Sequence, residues 1–291
     1  MFQIISDGSC DFTAEEVKKH NIQVIPFYIT FDGSSHLKEG VDISQDAYFQ
    51  RLIDEKNLFP KTSQPNPQDY IDVFLPHLKA GRDVLSVTIS SKLSGSHNSA
   101  TLAAEMMQAE FPDRKIVIVD TLNASLCHGI ILREIIRMRD AGYSIDKTAG
   151  IAQKVIQSAR VYFTLDTLEY LKRGGRVGPT TALVGGILGL RPILQLVDGE
   201  VSQLDNVRGK KRVLKLMEEA IVDALEGETG NVSLCVGHIR NQDVATEFQS
   251  NVEAALNMKI GNPITSVGAT IGTHAGPGAL AFAYCRKYEC V

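Results

Sequence analysis

Apolar positions along this chain follow two rhythms. Short, β-branched runs recur at Phe2 to Ser6, Gln23 to Tyr28, Val84 to Ile89 and Lys115 to Asp120. Bounded by turn residues, such runs predict buried strands. Between them the apolar residues take helical spacing. A Thr13/Glu16 capping box opens a helix to about His20. Ser44 caps one running to about Lys56. Asn66 caps the next, with Pro67 at the first helical position, and it ends near Lys79 with Gly81 as its stop. His97 to Phe111 follows, with Leu102, Met106 and Ala109 on one side, and then Asn123 to Ala141, ended by Gly142. Strands that alternate with helices predict an α/β/α layer with a parallel sheet. Residues 31–60 interrupt the alternation and read as a small insertion with a hairpin around Asp32-Gly33.

The rhythm changes near residue 160. A short strand, Val161 to Thr164, leads into a helix, Asp166 to Arg173, stopped by Gly174-Gly175. Pro192 to Val197 and Glu200 to Val207 flank Asp198-Gly199, a strong hairpin signal. Helices are expected at Gly209 to Leu225 and Gln242 to Leu256, and strands at Val232 to Ile239, Ile264 to Ile271 and Ala279 to Tyr284. Gly272 to Gly278 reads as a glycine-rich turn. Hairpins mixed with helices predict an α+β unit. The expected division is residues 1–158 and residues 159–291, two domains packed closely with no flexible linker.

Composition narrows the function classes. A length of 291 residues, 44% hydrophobic and 22% charged, is that of an ordinary globular chain with ample core. A net charge of −4 argues against nucleic acid as the main partner. The five cysteines are scattered and lack a C-x-x-C pair, which fits a reducing compartment and offers no metal site. Met1 to Asp7 lacks the basic and apolar regions of a signal peptide, and no run is long enough to span a bilayer, so the cytoplasm is the expected location, with at most transient membrane contact.

Candidate chemistry gathers in polar turns. Ser90-Ser91-Lys92-Leu93-Ser94-Gly95-Ser96 lies between a strand and a helix start, where free N–H groups and the helix dipole favour an anion. Ser91, Ser94 and Gly95 are therefore candidate carboxylate ligands; a second reading makes Ser94 or Ser96 only a helix cap. Ser6 to Cys10, Thr62-Ser63 and Thr273-His274 are further polar turns of the same kind, and neutral donors converging on one spot suit an anionic oxygen. His274 has a second reading too, as a structural hydrogen bonder. A serine-dependent hydrolase or acyltransferase is the alternative, with Ser94 as nucleophile and His274 as base. Ser94 lacks the flanking glycines of G-x-S-x-G, and no acid partner is identifiable. Zinc and nucleotide signatures are missing. The run Arg208-Gly209-Lys210-Lys211-Arg212 reads either as a solvated surface or as a docking patch for an acidic partner.

Taken in order, five segments resemble the DegV family, the fatty-acid-binding proteins that serve bacterial fatty acid kinase. They are Ser6-Asp7-Gly8-Ser9, Thr62-Ser63-Gln64-Pro65, Ser90 to Ser96, Tyr170-Leu171-Lys172-Arg173-Gly174-Gly175-Arg176 and Gly272 to Gly278. The resemblance runs nearly end to end. It implies a long-chain fatty acid bound between two domains, its carboxylate at Thr62 and Ser94 with His274 close by. It also implies a non-catalytic carrier that presents the carboxyl group to an ATP-dependent kinase subunit for acyl-phosphate formation. On the same basis Arg208 is a docking residue for that subunit, with Lys210 and Lys211 beside it, no cofactor is needed beyond the bound fatty acid, and the segment Thr181 to Leu190 is a candidate wall of the acyl slot.

Overall fold

The computed structural model describes residues 2–55, 58–177 and 190–291. The chain begins with strand β1 (Gln3–Asp7), helix α1 (Ala14–Lys19) and β2 (Gln23–Ile25). The capping box of Thr13 and Glu16 forms as its spacing predicts. The insertion holds β3 (Tyr28–Thr30), β4 (Leu37–Lys38), α2 (Gln45–Asp54, capped by Ser44) and β5 (Lys61–Ser63). Its three strands form a small antiparallel sheet in the order β4-β3-β5. Then come α3 (Pro67–Lys79), β6 (Val84–Thr88), α4 (Ser96–Glu110), β7 (Ile116–Asp120), α5 (Ser125–Asp140) and α6 (Ile145–Ser158). Strands β2-β1-β6-β7 form a parallel sheet in that order.

The second half contributes β8 (Arg160–Thr164), α7 (Glu169–Gly174), β9 (Leu190–Val197), β10 (Glu200–Arg208), α8 (Lys210–Leu225), β11 (Val232–His238), α9 (Gln242–Leu256), β12 (Thr265–Ser266), α10 (Ala269–Ala275) and β13 (Leu280–Arg286). Its six-stranded, mainly antiparallel sheet runs β10-β9-β8-β13-β11-β12. Asp198 and Gly199 both take positive φ, as a tight hairpin turn between β9 and β10 demands. We propose to divide the chain after residue 158, because α6 completes the layers on the parallel sheet and β8 opens the antiparallel one. Among the described residues no helix is long and apolar enough to cross a membrane.

Layering follows from which faces are apolar. Helices α3 and α4 cover one face of the parallel sheet through Tyr70, Phe74, Ala100, Ala103 and Met107 against Ile5. Helices α5 and α6 cover the other, packing Ile130, Ile131 and Val155 on Ile4, Leu85 and Val87. The same cluster takes in Val161, Cys235 and Ala283 of the second sheet, so α5 lies between the two sheets and one core joins both halves. Helices α8 and α9 close the far side through Val213, Met217 and Phe248 against Val236 and Phe282.

Two expectations change. Leu102 and Met106 are 43% and 57% exposed; the face of α4 that packs carries Ala100, Ala103, Ala104 and Met107. The strand expected over 264–271 stops after Ser266, and Ala269–Ala275 is helical, so Gly272, Thr273 and His274 belong to a helix and not to a turn. The β-branched run Val267 to Ile271 suits a strand locally. It becomes a helix because carboxylates from distant parts of the chain bind its first N–H groups, and because Gly272 admits the ring of Phe49, with which a side chain there would collide.

A buried carboxylate ties the strand ends together. Asp7 is fully buried. Its Oδ2 accepts from the Ile89 N–H at 2.9 Å and from Ser96 Oγ at 2.8 Å. Its Oδ1 accepts from Ser9 Oγ at 2.6 Å. Ser9 Oγ in turn contacts His128 Nδ1 at 2.9 Å, and Tyr70 Oη contacts Ser96 Oγ at 2.7 Å. Burial holds His128 below the ordinary histidine range, so it takes part as a neutral ring. Replacing Asp7 with asparagine turns an NH₂ toward these donors and leaves at least one unpaired. The Asp7→Asn protein is expected to lose about 3 kcal/mol of unfolding free energy, measured by urea denaturation.

Candidate functional site

Thr62 sits in β5, opposite Ile29 of β3. His274 sits near the end of α10, and its Nε2 lies 2.8 Å from Thr62 Oγ1. The opposite end of α10 is set by two acids. Gly268 N–H donates to Asp11 Oδ1 at 2.9 Å, and Thr270 N–H donates to Glu39 Oε2 at 3.0 Å. Ala269 N–H and the Thr270 hydroxyl also donate to Glu39. Ser125 Oγ, at the start of α5, donates to Asp11 Oδ2 at 2.5 Å. Burial lifts the Asp11 carboxyl to about 7, and burial likewise raises Glu39. Both halves of the chain thus meet at α10, and its orientation carries His274 to Thr62.

The imidazole of His274 is largely enclosed. Among the described residues its Nδ1 has no hydrogen-bond partner, and it lies against Gly174, where any side chain would collide with the ring. An unpaired lone pair is tolerated in such a place better than an unpaired N–H. That assigns the proton to Nε2, which donates to Thr62 Oγ1 and leaves the threonine O–H free to donate elsewhere. Ser94 Oγ similarly accepts from the Ser96 N–H at 3.2 Å, so its own hydrogen is free. Burial first, and then the Arg176 charge, push His274 down to about 4, so it is neutral at pH 7.

These groups border an apolar cavity of about 130 Å³. Thr62, Gln64, Ser94, Arg176 and His274 are among its polar lining, with Ser125, His238 and Thr270 elsewhere in the wall, and Leu93, Phe163, Leu171, Leu196, Ile239 and Leu280 stand among its apolar walls. The cavity lies where the carboxyl ends of the parallel strands face the antiparallel sheet, so Ile89 of one half and Val161 of the other both border it. An apolar lining with a few polar groups among it is that of a small-molecule site.

Of the sequence candidates, Thr62, Ser94 and His274 come together. Thr273 does not join them, because its hydroxyl is held by Tyr48 Oη at 2.7 Å and by the Ala269 carbonyl at 2.8 Å. Ser91 and Gly95 border a separate polar depression outside, which shares Ser94 and Arg176 with the cavity. Gly95 gives passage to Gln64, whose amide nitrogen would stand 2.9 Å from a Cβ there. The free N–H groups expected in this turn are largely taken by the chain itself. Ile89 N–H goes to Asp7, Ser91 N–H to Asp120, and the Leu93 and Ser94 N–H groups to the Ser90 carbonyl. The anion-binding capacity of the site therefore lies in hydroxyls, an amide and a guanidinium. Gln64 and Arg176 are the residues that motif reading passed over, although both stand inside the quoted segments. Residues 181–189 of the proposed slot wall lie outside the described residues. Arg208 ends β10, Lys210 and Lys211 open α8, and all three are exposed.

Among the described residues, His274 bonds Thr62 and not Ser94, and its second nitrogen meets no carboxylate, so these groups do not form a Ser94–His274–acid arrangement. Nuclear magnetic resonance titration is expected to find His274 neutral, with the proton on Nε2, down to about pH 5. A histidine whose folded pKa is depressed contributes stability that is complete above its unfolded value of about 6.5 and is lost as the pH falls towards 4. The unfolding free energy of the wild type should therefore drop over that window by more than that of His274→Gln.

The DegV family model matches residues 1–287 of this chain. A DegV domain-containing protein of Caldanaerobacter subterraneus is 33% identical over 98% of both chains. Among solved structures, a fatty acid (stearic acid)-binding protein of Eubacterium ventriosum superposes with a TM-score of 0.95 at 31% identity, covering 100% of each chain. A DegV family protein of Thermus thermophilus, described by its fatty acid binding, gives a TM-score of 0.88 at 29% identity over 98% of this chain and 99% of that one. Sequence and fold agree from end to end, and this chain belongs to the DegV family.

Proposed function

We propose that this chain is a cytoplasmic, non-catalytic carrier that binds a long-chain fatty acid and presents its carboxyl group to an ATP-dependent kinase subunit. The observation that carries the reading is a mainly apolar cavity whose lining includes hydroxyl, amide and guanidinium donors and a neutral histidine. A carboxylate suits donors of this kind, and a methylene chain suits the rest. Burial of about fifteen methylenes gives on the order of 12 kcal/mol, and association costs of ~4–15 kcal/mol offset much of it. Affinity then resides mainly in the tail, while the polar end sets orientation. The relatives described as fatty acid binders support the ligand class.

Organic extraction of purified protein followed by mass spectrometry should release a fatty acid of about C14–C18, a range consistent with the methylene estimate; recovery of only sugar phosphates or nucleotides would overturn the reading. Thr62→Ala and Ser94→Ala should each weaken fatty acid binding about tenfold without abolishing it, since each removes one donor and leaves the tail buried. A double variant that binds as tightly as the parent would move the carboxylate elsewhere.

Presentation to a kinase is supported by the place of Arg208, Lys210 and Lys211, which project from the end of an edge strand and the start of α8. Exposed cations clustered at a helix start oppose the helix dipole, and an acidic partner surface would relieve that. Arg208→Ala should lower kinase turnover at every carrier concentration and leave fatty acid affinity unchanged. The lysine variants should act mainly at low salt. Wild-type turnover by Arg208→Ala across the whole titration would return this run to the solvated surface.

A further inference from the structure

Two hydroxyls in the cavity wall have no part in the head-group end. Ser125 and Thr270 both line the cavity and are 6% and 4% exposed. Both are already committed as donors, Ser125 to Asp11 and Thr270 to Glu39. The acids cannot reverse these roles while ionised, since backbone N–H groups of Gly268, Ala269 and Thr270 are aimed at the same carboxylates. The two acids converge at Gly268, where a Cβ would stand 2.5 Å from Glu39 Oε1 and 2.8 Å from Asp11 Oδ1, so the carboxylates that accept from the two hydroxyls meet at one glycine. What they offer the cavity is lone pairs alone. A plain methylene chain leaves those lone pairs unused, whereas an O–H on the chain supplies the missing donor.

We propose that Ser125 and Thr270 form a subsite for a hydroxyl group on the acyl chain, so that the ligands of this cavity include hydroxy fatty acids; the proposal rests on the fatty-acid reading above. The position of the hydroxyl follows from α10. Thr270 and His274 are four residues apart, on one face of the helix and separated by about 6 Å along its axis. With the carboxylate beside His274, the substituent belongs on the carboxyl-proximal part of the chain and not near the methyl end. A purely structural role for the two hydroxyls, holding Asp11 and Glu39, would affect stability but confer no preference among ligands.

The test is displacement of a fluorescent fatty acid from the delipidated full chain at pH 8, above the raised value of Asp11. Competitors are stearate and a set of hydroxystearates substituted near the carboxyl group, at mid-chain and near the methyl end. At least one carboxyl-proximal isomer should bind about tenfold more tightly than stearate, with no gain for the methyl-end isomer. In Thr270→Val, and independently in Ser125→Ala, the ratio of hydroxystearate to stearate affinity should fall to about one. The subsite is overturned if stearate binds and no proximal isomer exceeds it, if the methyl-end isomer is preferred, or if the preference survives in whichever of the two variants folds. Failure of stearate and every isomer to bind would instead bring down the fatty-acid reading, and the subsite with it.

Discussion

The carboxylate of Asp7 is the constraint on which the arrangement of strand ends depends. It stands at the end of β1, out of contact with water, and an ion so placed is tolerated only when nearly every lone pair is used. Its partners come from the turn after β1, from the end of β6 and from the first residue of α4. Satisfying one charge therefore fixes three chain segments relative to one another. The Ser90 to Ser96 turn takes its shape from this, and Ser94 reaches the cavity because Ile89 and Ser96 on either side are held from below. The cavity needs such rigidity, since it lies between two sheets and tolerates little drift at its polar end.

A second pair of acids plays the corresponding part for the other half. Asp11 and Glu39 accept from the first N–H groups of α10, and they do so from the first half of the chain while α10 belongs to the second. The helix is too short to be stable alone. Its existence and its direction are consequences of the interface, as is the position of His274. Enclosure then removes the proton from the imidazole, and the histidine orients Thr62 as a neutral donor. The head-group end is thus a product of desolvation as much as of residue choice.

Much of this was legible beforehand. The strands of the parallel sheet, the caps at Thr13, Ser44 and Asn66, and the hairpin at Asp198-Gly199 depend on local preferences, and local preferences are written in adjacent residues. Thr62, Ser94 and His274 stand in segments singled out for their polar turns, and all three line the cavity. The errors share a cause. Leu102 and Met106 have the period of a buried face, yet the face that packs is the neighbouring one with Ala100, Ala103 and Met107. Val267 to Ile271 has strand composition, yet acids more than two hundred positions away in sequence make it the start of a helix. Thr273 looked like a companion of His274 until Tyr48 claimed its hydroxyl.

The sequence by itself determined the class of each half, the order of its elements and the segments from which a polar site would be drawn, because periodicity, caps and turn residues act over a few positions. Tertiary structure decided which hydroxyls keep a free hydrogen, which N–H groups are already spent on Asp7 and Asp120, and that Arg176 and Gln64 stand at the polar end. It also decided that the serine turn offers the cavity side chains while its backbone N–H groups are mostly used within the chain. Hydrogen bonds and desolvation act on atoms brought within about 3 Å of one another, and residues remote in sequence reach that distance only when the two sheets close on α5.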